Sequence, residues 1–256
     1  MKQFLLISFL ISGFQFLTMG SELTGHYDSL YALGNQSYQE QNFEDALKSY
    51  NAIAESGMRS SDLYYNIGNC YYKLNQITEA ILYYERALKM QPNGEDIKYN
   101  LALANKQIVD KIETLPTPFY KEWWYTLVNS FAMDTWAYMS IVFSVIGMLS
   151  LLLFLMARST GVKQLSFYLF LVLLLATGMT FLFARAQYHK NIAEQNAIIF
   201  ETRTNIYSEP NTASTVLFVV HNGLKVKVLK TSGQWLKIML PDGSIGWIPE
   251  ETLMMI

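Results

Sequence analysis

The chain has 256 residues, of which 51% are hydrophobic, and its 19 basic and 21 acidic residues leave a net charge of -2. The charges are evenly mixed and form no basic stripe, which argues against nucleic acid as a partner. A single cysteine, Cys70, excludes an intramolecular disulfide framework. The length allows one or two globular domains besides any membrane part.

Residues 1–20 have the layout of a secretory signal peptide. Lys2 precedes an apolar stretch from Phe4 to Leu17, and Gly20 closes it before a polar segment begins. Cleavage after Gly20 is one interpretation, and an uncleaved membrane anchor is the other. Both predict that the segment that follows lies outside the cytoplasm.

An internal repeat occupies residues 27–113. Gly34 recurs as Gly68, 34 residues later, and Tyr50 recurs in the same way as Tyr84. A fixed period of this length is typical of stacked helical hairpins. The matched positions predict three units, which are 27–60, 61–94 and a polar-faced capping helix over 95–113.

This pattern resembles the tetratricopeptide repeat. The resemblance implies an all-α domain in which small residues let two helices cross closely and large residues fill the gap beside them. The first copy departs from the family pattern at Ser37 and Met58, and Cys70 stands at a usually small position, where we expect it to fill the core. The second copy carries the resemblance through Tyr64, Ile67, Gly68, Tyr71, Ala80, Tyr84, Ala87 and Pro92.

The resemblance also implies a concave groove lined by the first helix of each unit. An extended peptide or a partner's helix suits such a groove, because aromatic rings supply rigid contact area and amides pair with main-chain groups. Tyrosine and asparagine are also common there whatever the ligand, so a structural role is the alternative. The lysine clamp with which some family members hold a C-terminal carboxylate is incomplete, since tyrosine takes its place. The predicted groove residues are Tyr31, Asn35, Tyr38, Tyr65, Asn69, Tyr72, Lys73 and Tyr99.

Residues 114–134 form an aromatic juxtamembrane segment. Pro116 and Pro118 end the preceding helix. The aromatic residues after them recur every three or four positions, which predicts one face of a short helix. Tyrosine and tryptophan prefer the level of the lipid headgroups, so we expect the segment to lie along a bilayer surface. Packing against the repeats or a partner is the alternative.

Two apolar runs, 135–157 and 165–184, contain no Asp, Glu, Lys or Arg. Each is long enough to cross the hydrocarbon layer, which needs about 20 apolar residues, and neither has the polar face of a soluble helix. They predict a two-helix transmembrane hairpin, and the absence of ionisable residues from both runs argues against transport. Gly147 and Gly178 are predicted close-packing positions.

The basic residues that flank these runs do not decide the orientation, because both sides of the hairpin carry them. The signal peptide decides it. It places the hairpin loop in the cytoplasm and both folded ends in the periplasm, on the outer face of a bacterial inner membrane. The connector 185–196 is either a continuation of the second helix or a loose tether.

Residues 197–256 change to a period of two, with Val226 and Val228 alternating with lysines, and turn residues separate the short runs. This predicts a small β-barrel. The segment resembles bacterial SH3 domains through 205–210, 233–238 and 242–248, although the family often has arginine where Tyr207 stands. Exported members bind cell-wall peptides or protein segments. The predicted ligand face is Tyr207, Glu209, Trp235 and Trp247, the two tryptophans first of all filling the barrel and its rim.

No catalytic site is predicted. His26, His189 and His221 lie in separate modules, and no histidine pair has metal-ligand spacing. No nucleophile-elbow or phosphate-loop motif occurs in the sequence. We therefore expect an interaction protein without a metal or cofactor.

The order of signal peptide, repeats, two spanning helices and SH3-like domain resembles the BatE-like proteins of the aerotolerance (Bat) operon of the Bacteroidetes type, as does the stretch 96–101. The resemblance implies membrane-anchored von Willebrand A-domain proteins as partners and a role in envelope integrity or stress tolerance. We expect a multidomain membrane protein with an all-α repeat domain, a transmembrane hairpin and an all-β SH3-like barrel, acting as a scaffold. The alternative is a cell-wall sensor whose SH3-like domain binds peptidoglycan peptides.

Overall fold

The computed structural model describes residues 27–112, 118–193 (side chains to 189) and 195–256. Within these ranges the chain forms a helical repeat region, a short helix, two long apolar helices and an antiparallel sheet. The predicted signal peptide, 1–20, lies outside the described residues, as do Pro116 and His26.

The repeat region consists of two helical hairpins and one further helix. The first hairpin is α1 (27–39) and α2 (Phe43–Glu55), the second is α3 (Ser61–Lys73) and α4 (Ile77–Met90), and α5 (Glu95–Asn105) follows. Polar side chains cap two of these helices, since Asn42 accepts from the backbone of Asp45 and Ser60 accepts from that of Leu63.

Close contacts between glycine and tyrosine bring the two helices of each hairpin together. A Cβ atom added to Gly34 would lie 2.6 Å from the Tyr50 ring, and one added to Gly68 would lie 2.7 Å from the Tyr84 ring. Both tyrosines are 1% exposed. The recurring glycine therefore marks the point where a large ring lies directly against a neighbouring helix, as the repeat pattern predicts.

Helix α5 ends at Asn105, so it is shorter than the capping unit 95–113 expected from the sequence. The chain after it runs to the sheet instead of continuing the helix. Ile108 packs so closely on the sheet turn that a Cβ on Gly223 would lie 2.5 Å from its side chain. Gly223 has φ +86, a conformation that suits glycine.

The two apolar helices are α7 (Met133–Met156) and α8 (Thr160–Ala193), and α6 (Phe119–Val128) precedes them. Helix α8 runs well beyond the predicted 165–184, so the connector continues the helix to Ala193 and is no loose tether. Both helices are long and apolar enough to cross a membrane. The predicted packing role of Gly147 agrees with its position against Leu173, whereas a Cβ on Gly178 would meet nothing within 4 Å among the described atoms.

Polar side chains tie the ends of these helices together. The Gln187 amide of α8 donates to the carbonyl oxygens of Val128 at 2.7 Å and Phe131 at 2.9 Å. The Trp136 indole N–H of α7 donates to the same Val128 oxygen at 2.9 Å. Gln187 is 3% exposed, so these bonds satisfy a buried amide. They also place the end of α6, the start of α7 and the last turns of α8 side by side.

The remaining residues form one seven-stranded sheet in the order β3-β2-β6-β5-β4-β1-β7, in which each strand pair is antiparallel. It begins two residues before the predicted 197. The strands are β1 (Gln195–Ile199), β2 (Arg203–Tyr207), β3 (Val216–His221), β4 (Lys225–Ser232), β5 (Trp235–Met239), β6 (Ile245–Pro249) and β7 (Leu253–Met255).

Aliphatic side chains fill the core of the sheet domain. Leu236 and Ile238 point into this core, while Trp235 and Lys237 alternate with them on the outer face, where both are only partly buried. Trp247 lies outside the core in the same way, beside buried Ile248. Of the expectation that the two tryptophans fill the barrel and its rim, the part that concerns the barrel interior is wrong, because the strand period turns both side chains outward.

The sheet domain packs directly against α4 of the repeat region. Ile198 of β1 is fully buried and belongs to the hydrophobic cluster of α4 and α5. Lys225 donates to Glu85 at 2.6 Å, and the Glu85 side chain is only 9% exposed. Burial of this carboxylate is therefore compensated by a charge from the other domain.

The segment after α5 adds a second connection between the two domains. The Asp110 carboxylate accepts from the His221 backbone N–H at 2.6 Å, and its other oxygen lies 2.9 Å from His221 Nδ1. Asn222 donates to the Thr78 hydroxyl at 3.0 Å. Polar and apolar contacts together fix the sheet on the α4 side of the repeats.

Cys70 is fully buried in the core between α2 and α3. Burial raises the pKa of its thiol to about 12. In the unfolded chain the thiol has its ordinary pKa of 9.0, so this group lowers the stability of the folded state as the pH rises from that value towards 12. The position agrees with the expected core role.

We expect Gly68→Ala to loosen the second hairpin. The added methyl group would force the Tyr84 ring away from α3, at a cost of about 1–3 kcal/mol. Backbone amides of α3 and α4 should exchange hydrogen faster in the purified full-length protein. The matched control is Gly161→Ala, because a Cβ there meets nothing within 4 Å. Unchanged exchange in Gly68→Ala would contradict the close packing.

We expect Cys70 to resist alkylation in the folded protein. At pH 8 a thiol with a pKa of about 12 has a thiolate fraction on the order of a thousand-fold below that of a free cysteine. Iodoacetamide labelling followed by mass spectrometry should be slow in buffer and fast in denaturant. Equal labelling rates in both conditions would show that Cys70 is accessible.

Candidate functional site

The first helices α1, α3 and α5 present the predicted groove residues. Tyr31, Asn35 and Tyr38 lie on α1 and are partly buried, as are Tyr65, Asn69 and Tyr72 on α3. Lys73 is exposed, and Tyr99 of α5 is 67% exposed. The structure therefore brings the predicted set onto the first helices of three consecutive repeat units.

A hydrogen-bonded unit joins α1, α2 and α3. The Tyr50 hydroxyl of α2 donates to Asn35 Oδ1 at 2.7 Å. Asn66 of α3 donates to the Tyr31 hydroxyl at 2.8 Å and approaches Asn35 Oδ1 at 3.5 Å. Two predicted groove residues are thus acceptors for neighbouring helices.

The same unit recurs one repeat later. Tyr84 of α4 donates to Asn69 Oδ1 at 2.8 Å. Asn100 of α5 donates to Asn69 Oδ1 at 2.9 Å and to the Tyr65 hydroxyl at 3.0 Å. We call these two units the tyrosine–asparagine ladder, consisting of Tyr31, Asn35, Tyr50, Asn66, Tyr65, Asn69, Tyr84 and Asn100.

The ladder includes four residues that the sequence analysis did not assign to the groove. Tyr50 and Tyr84 appeared there only as repeat markers, and Asn66 and Asn100 did not appear as candidates. Asn66 and Asn100 are themselves 34 residues apart, so their recurrence is the signal that could have found them. Sequence spacing does not show which amide bonds which hydroxyl.

The ladder leaves a defined set of polar groups for a ligand. The oxygens of Asn35 and Asn69 accept from protein donors, whereas their side-chain N–H groups donate no hydrogen bond within the described part of the chain. Burial raises the pKa values of Tyr50 and Tyr84, which keeps both hydroxyls neutral as donors. The available groups are therefore mainly amide donors and tyrosine rings.

The C-terminal end of α3 carries a positive charge. Gln107 donates to the Tyr72 hydroxyl at 2.9 Å, across 35 positions of sequence. Lys73 stands 35 positions after Tyr38 and so occupies the equivalent place in the preceding unit. It is exposed, and no ion pair involves it among the described residues. Lys73 can therefore bind an acidic group of a ligand.

A second candidate surface lies on the outer face of the sheet. Tyr207 of β2 pairs in register with Trp247 of β6, which pairs with Lys237 of β5. The Tyr207 and Trp235 rings meet edge to face with centroids 5.5 Å apart. Lys237 Nζ lies 5.9 Å from the centre of the Trp247 ring. We call Tyr207, Trp235, Trp247 and Lys237 the aromatic face.

The fourth predicted residue of this surface, Glu209, lies in the turn after β2. Its backbone oxygen accepts from Ser214 at 3.2 Å, and its carboxylate lies 3.5 Å from the Asn211 amide nitrogen. These contacts of Glu209 stay within the turn, whereas the three aromatic residues lie together on the sheet face. No cluster of three or more His, Cys, Asp or Glu that could hold a metal ion occurs in the described ranges.

Comparison with known proteins identifies both folded parts. Residues 61–93 match the tetratricopeptide repeat, and residues 202–254 match the bacterial SH3 domain. Sperm-associated antigen 1 of Rattus norvegicus is 30% identical over 92 residues, which cover 36% of this chain and 10% of that protein. The protein of the same name in Mus musculus is 37% identical over 82 residues, which cover 31% of this chain and 9% of that protein.

The chain therefore spans about a tenth of the length of these curated relatives. Each family match covers less than half of this chain, so it identifies a domain and not the whole protein. The chain contains a tetratricopeptide repeat and a bacterial SH3 domain, joined by two helices that are apolar enough to span a membrane.

Proposed function

We propose that the chain is a non-catalytic, membrane-anchored scaffold that binds a partner protein in its repeat groove. The observation that carries this proposal is the tyrosine–asparagine ladder, which holds α1, α3 and α5 in register while Tyr99 stays 67% exposed. A surface that is ordered before binding loses less conformational entropy when a ligand arrives.

The position of the SH3 domain supports binding in the groove. The hydrogen bonds and ion pairs that join the two domains come from α4 and from the segment after α5, through residues such as Glu85 and Asp110. None of these contacts between the two domains involves a predicted groove residue. The SH3 domain therefore packs on α4, the second helix of the second hairpin, through contacts that leave the predicted groove residues free of it.

The chemistry of the groove favours a peptide segment with an acidic group. Side-chain N–H groups of Asn35 and Asn69 suit main-chain carbonyl oxygens, tyrosine rings suit apolar side chains, and exposed Lys73 suits a carboxylate. An extended segment or a helix of a partner protein meets these requirements. The ligand's identity then depends on which proteins share its compartment.

Membrane anchoring is supported by the surface of α7 and α8. Leu149 is 60% exposed, Leu175 is 70% exposed, and apolar side chains surround both helices. In water such a surface would be unfavourable, whereas a lipid bilayer would cover it. The start of α7 and the end of α8 lie at one level, so anchoring puts the repeats and the SH3 domain on the same side.

The compartment follows from the N-terminal sequence and the kind of domain. A signal peptide over 1–20 would export the repeats, and a bacterial SH3 domain suits an extracellular or periplasmic location. We therefore propose an inner-membrane protein with both folded parts in the periplasm. The domain order further supports a place in a Bat-type aerotolerance or envelope-stress complex, with von Willebrand A-domain membrane proteins as the partners.

The SH3 domain supports a second candidate function, which is binding of cell-wall peptides. Three aromatic rings, from Tyr207, Trp235 and Trp247, lie on one sheet face with Lys237 among them. Such a face can stack on a ligand and attract its carboxylates. Retention of the full-length protein by purified sacculi, lost in Trp235→Ala and without any captured protein, would favour this function over the scaffold.

The topology can be tested by labelling exposed positions with a membrane-impermeant maleimide. In a Cys70→Ala background we expect Lys98→Cys on α5 and Lys230→Cys on β4 to react in intact spheroplasts. Ser159→Cys in the hairpin loop is the matched control and should react only after lysis. Labelling of just one of the first two positions would contradict a shared side.

The groove can be tested by capture of partner proteins from detergent-solubilised membranes on the full-length chain. The full chain is needed because an isolated repeat segment would expose the α4 surface that the SH3 domain buries. Tyr99→Ala should lower capture about five-fold, as loss of an interface aromatic commonly costs at least 1 kcal/mol. Val109→Ala is the control, since Val109 is 68% exposed and lies outside the groove. Equal capture by all three proteins would exclude the groove.

A further inference from the structure

A cavity lies where the repeats, the start of α7 and the end of the SH3 domain meet. Its volume is about 600 Å³. Arg59, Arg86 and Lys89 line it from the repeats, and Met255 and Ile256 line it from the SH3 domain. The remaining wall includes Ala132, Met133, Asp134 and Gln187 from the base of the apolar helices.

Basic side chains outnumber acidic ones in the lining of this cavity. Two of its three basic side chains are held in place, because Arg86 donates to the Met255 carbonyl oxygen at 2.9 Å and Lys89 donates to the main-chain oxygen of Ile256 at 3.1 Å. Arg59 is exposed, and no ion pair involves it in the described ranges. Asp134 is the acidic residue of the lining, so basic side chains exceed acidic ones by two.

The cavity lies at the level where the apolar helices begin and end. Met133 is the first residue of α7, and Gln187 lies three residues after the apolar run 165–184 of α8. Trp136 packs on Phe183 at this level, with ring centroids 4.9 Å apart. Helix α6 is held here by the hydrogen bond from Gln187 to the Val128 oxygen, and its Phe119 and Trp123 side chains are 83% and 68% exposed. Exposed aromatic residues of this kind are typical of the lipid headgroup region.

We propose that this cavity binds the phosphate headgroup of an anionic phospholipid. The inference rests on the membrane anchoring proposed above. Arg59, Arg86 and Lys89 supply the positive charge that attracts a phosphate diester, with Arg59 contributing donors that carry no protein ion pair. The negative charge of Asp134 repels the anion and so limits its affinity for the cavity.

The apolar part of the lining favours a lipid over an acidic peptide. Met90, Pro92 and Met133 lie beside the basic groups in the same cavity. A phospholipid has an anionic group directly joined to a glycerol and acyl region, and Met133, which lines the cavity, begins the apolar helix α7 along which the acyl region would lie. An acidic peptide would have to come from solvent and would find methionine and proline beside its carboxylates.

The test compares phosphatidylglycerol with phosphatidylcholine of equal chain length, bound to the full-length protein in non-ionic detergent and counted by native mass spectrometry. We expect preferential retention of phosphatidylglycerol. Arg59→Gln should weaken it about three-fold, as expected for an exposed ion pair, and Asp134→Asn should strengthen it by a similar factor of about three. The matched control is Lys98→Gln, which removes an exposed charge from α5, away from the cavity.

Opposite responses of Arg59→Gln and Asp134→Asn would support headgroup binding, because general destabilisation would not produce opposite signs. Equal retention of both lipids, or no change in Arg59→Gln, would overturn it. Displacement of the lipid by inorganic phosphate at equal concentration would identify free phosphate as the ligand, and displacement by an acidic peptide would identify a protein partner. Either result would overturn the lipid proposal.

Membrane anchoring is measured separately, by carbonate extraction of membranes that contain the full-length protein and by its flotation with phosphatidylcholine vesicles after the detergent is removed. Protein that leaves the membrane in carbonate would refute the anchoring itself. Protein that stays in the membrane but shows no preference between the two lipids would refute only the headgroup site.

Discussion

The ion pair between Lys225 and Glu85, 2.6 Å long, is the contact on which the arrangement of the folded parts depends. Glu85 lies on α4 with only 9% of its side chain exposed, so its charge needs a partner, and Lys225 of the SH3 domain supplies it. Ile198 enters the repeat core beside it. Because these contacts occupy the α4 side, they decide that the groove of the first helices is the open surface of the repeats.

Within the repeats, successive contacts of a glycine, a tyrosine and an asparagine are a second constraint on how the helices pack. Gly68 lets the Tyr84 ring approach α3, and the ring then places its hydroxyl on Asn69. Asn69 in turn accepts from Asn100 of the next helix. A packing requirement in one hairpin therefore fixes the polar surface that the next hairpin completes, which links the stability of the stack to the chemistry of its groove.

The repeats, the apolar helices and the SH3 domain meet at one junction. Asn93, which follows α4, donates to the Asn129 carbonyl oxygen after α6, and Gln187 bonds the neighbouring residues of that turn. Lys89 reaches the main-chain oxygen of Ile256 from the other side. The proposed headgroup site lies among these contacts, so a lipid bound there would touch all three parts of the molecule at once.

Local features could be predicted from the order of residues, because each depends on neighbouring residues and on a regular period. The 34-residue repeat, the apolar runs and the alternating strands were predicted in this way, and so was the burial of Cys70. The period of β5 and β6 already turns Trp235 and Trp247 outward, and the extent of α8 to Ala193 was one of two alternatives that the residues of the connector left open. Which side of the repeats stays open could not be read from the sequence, because it depends on contacts such as Lys225 with Glu85, 140 positions apart, which no local pattern encodes.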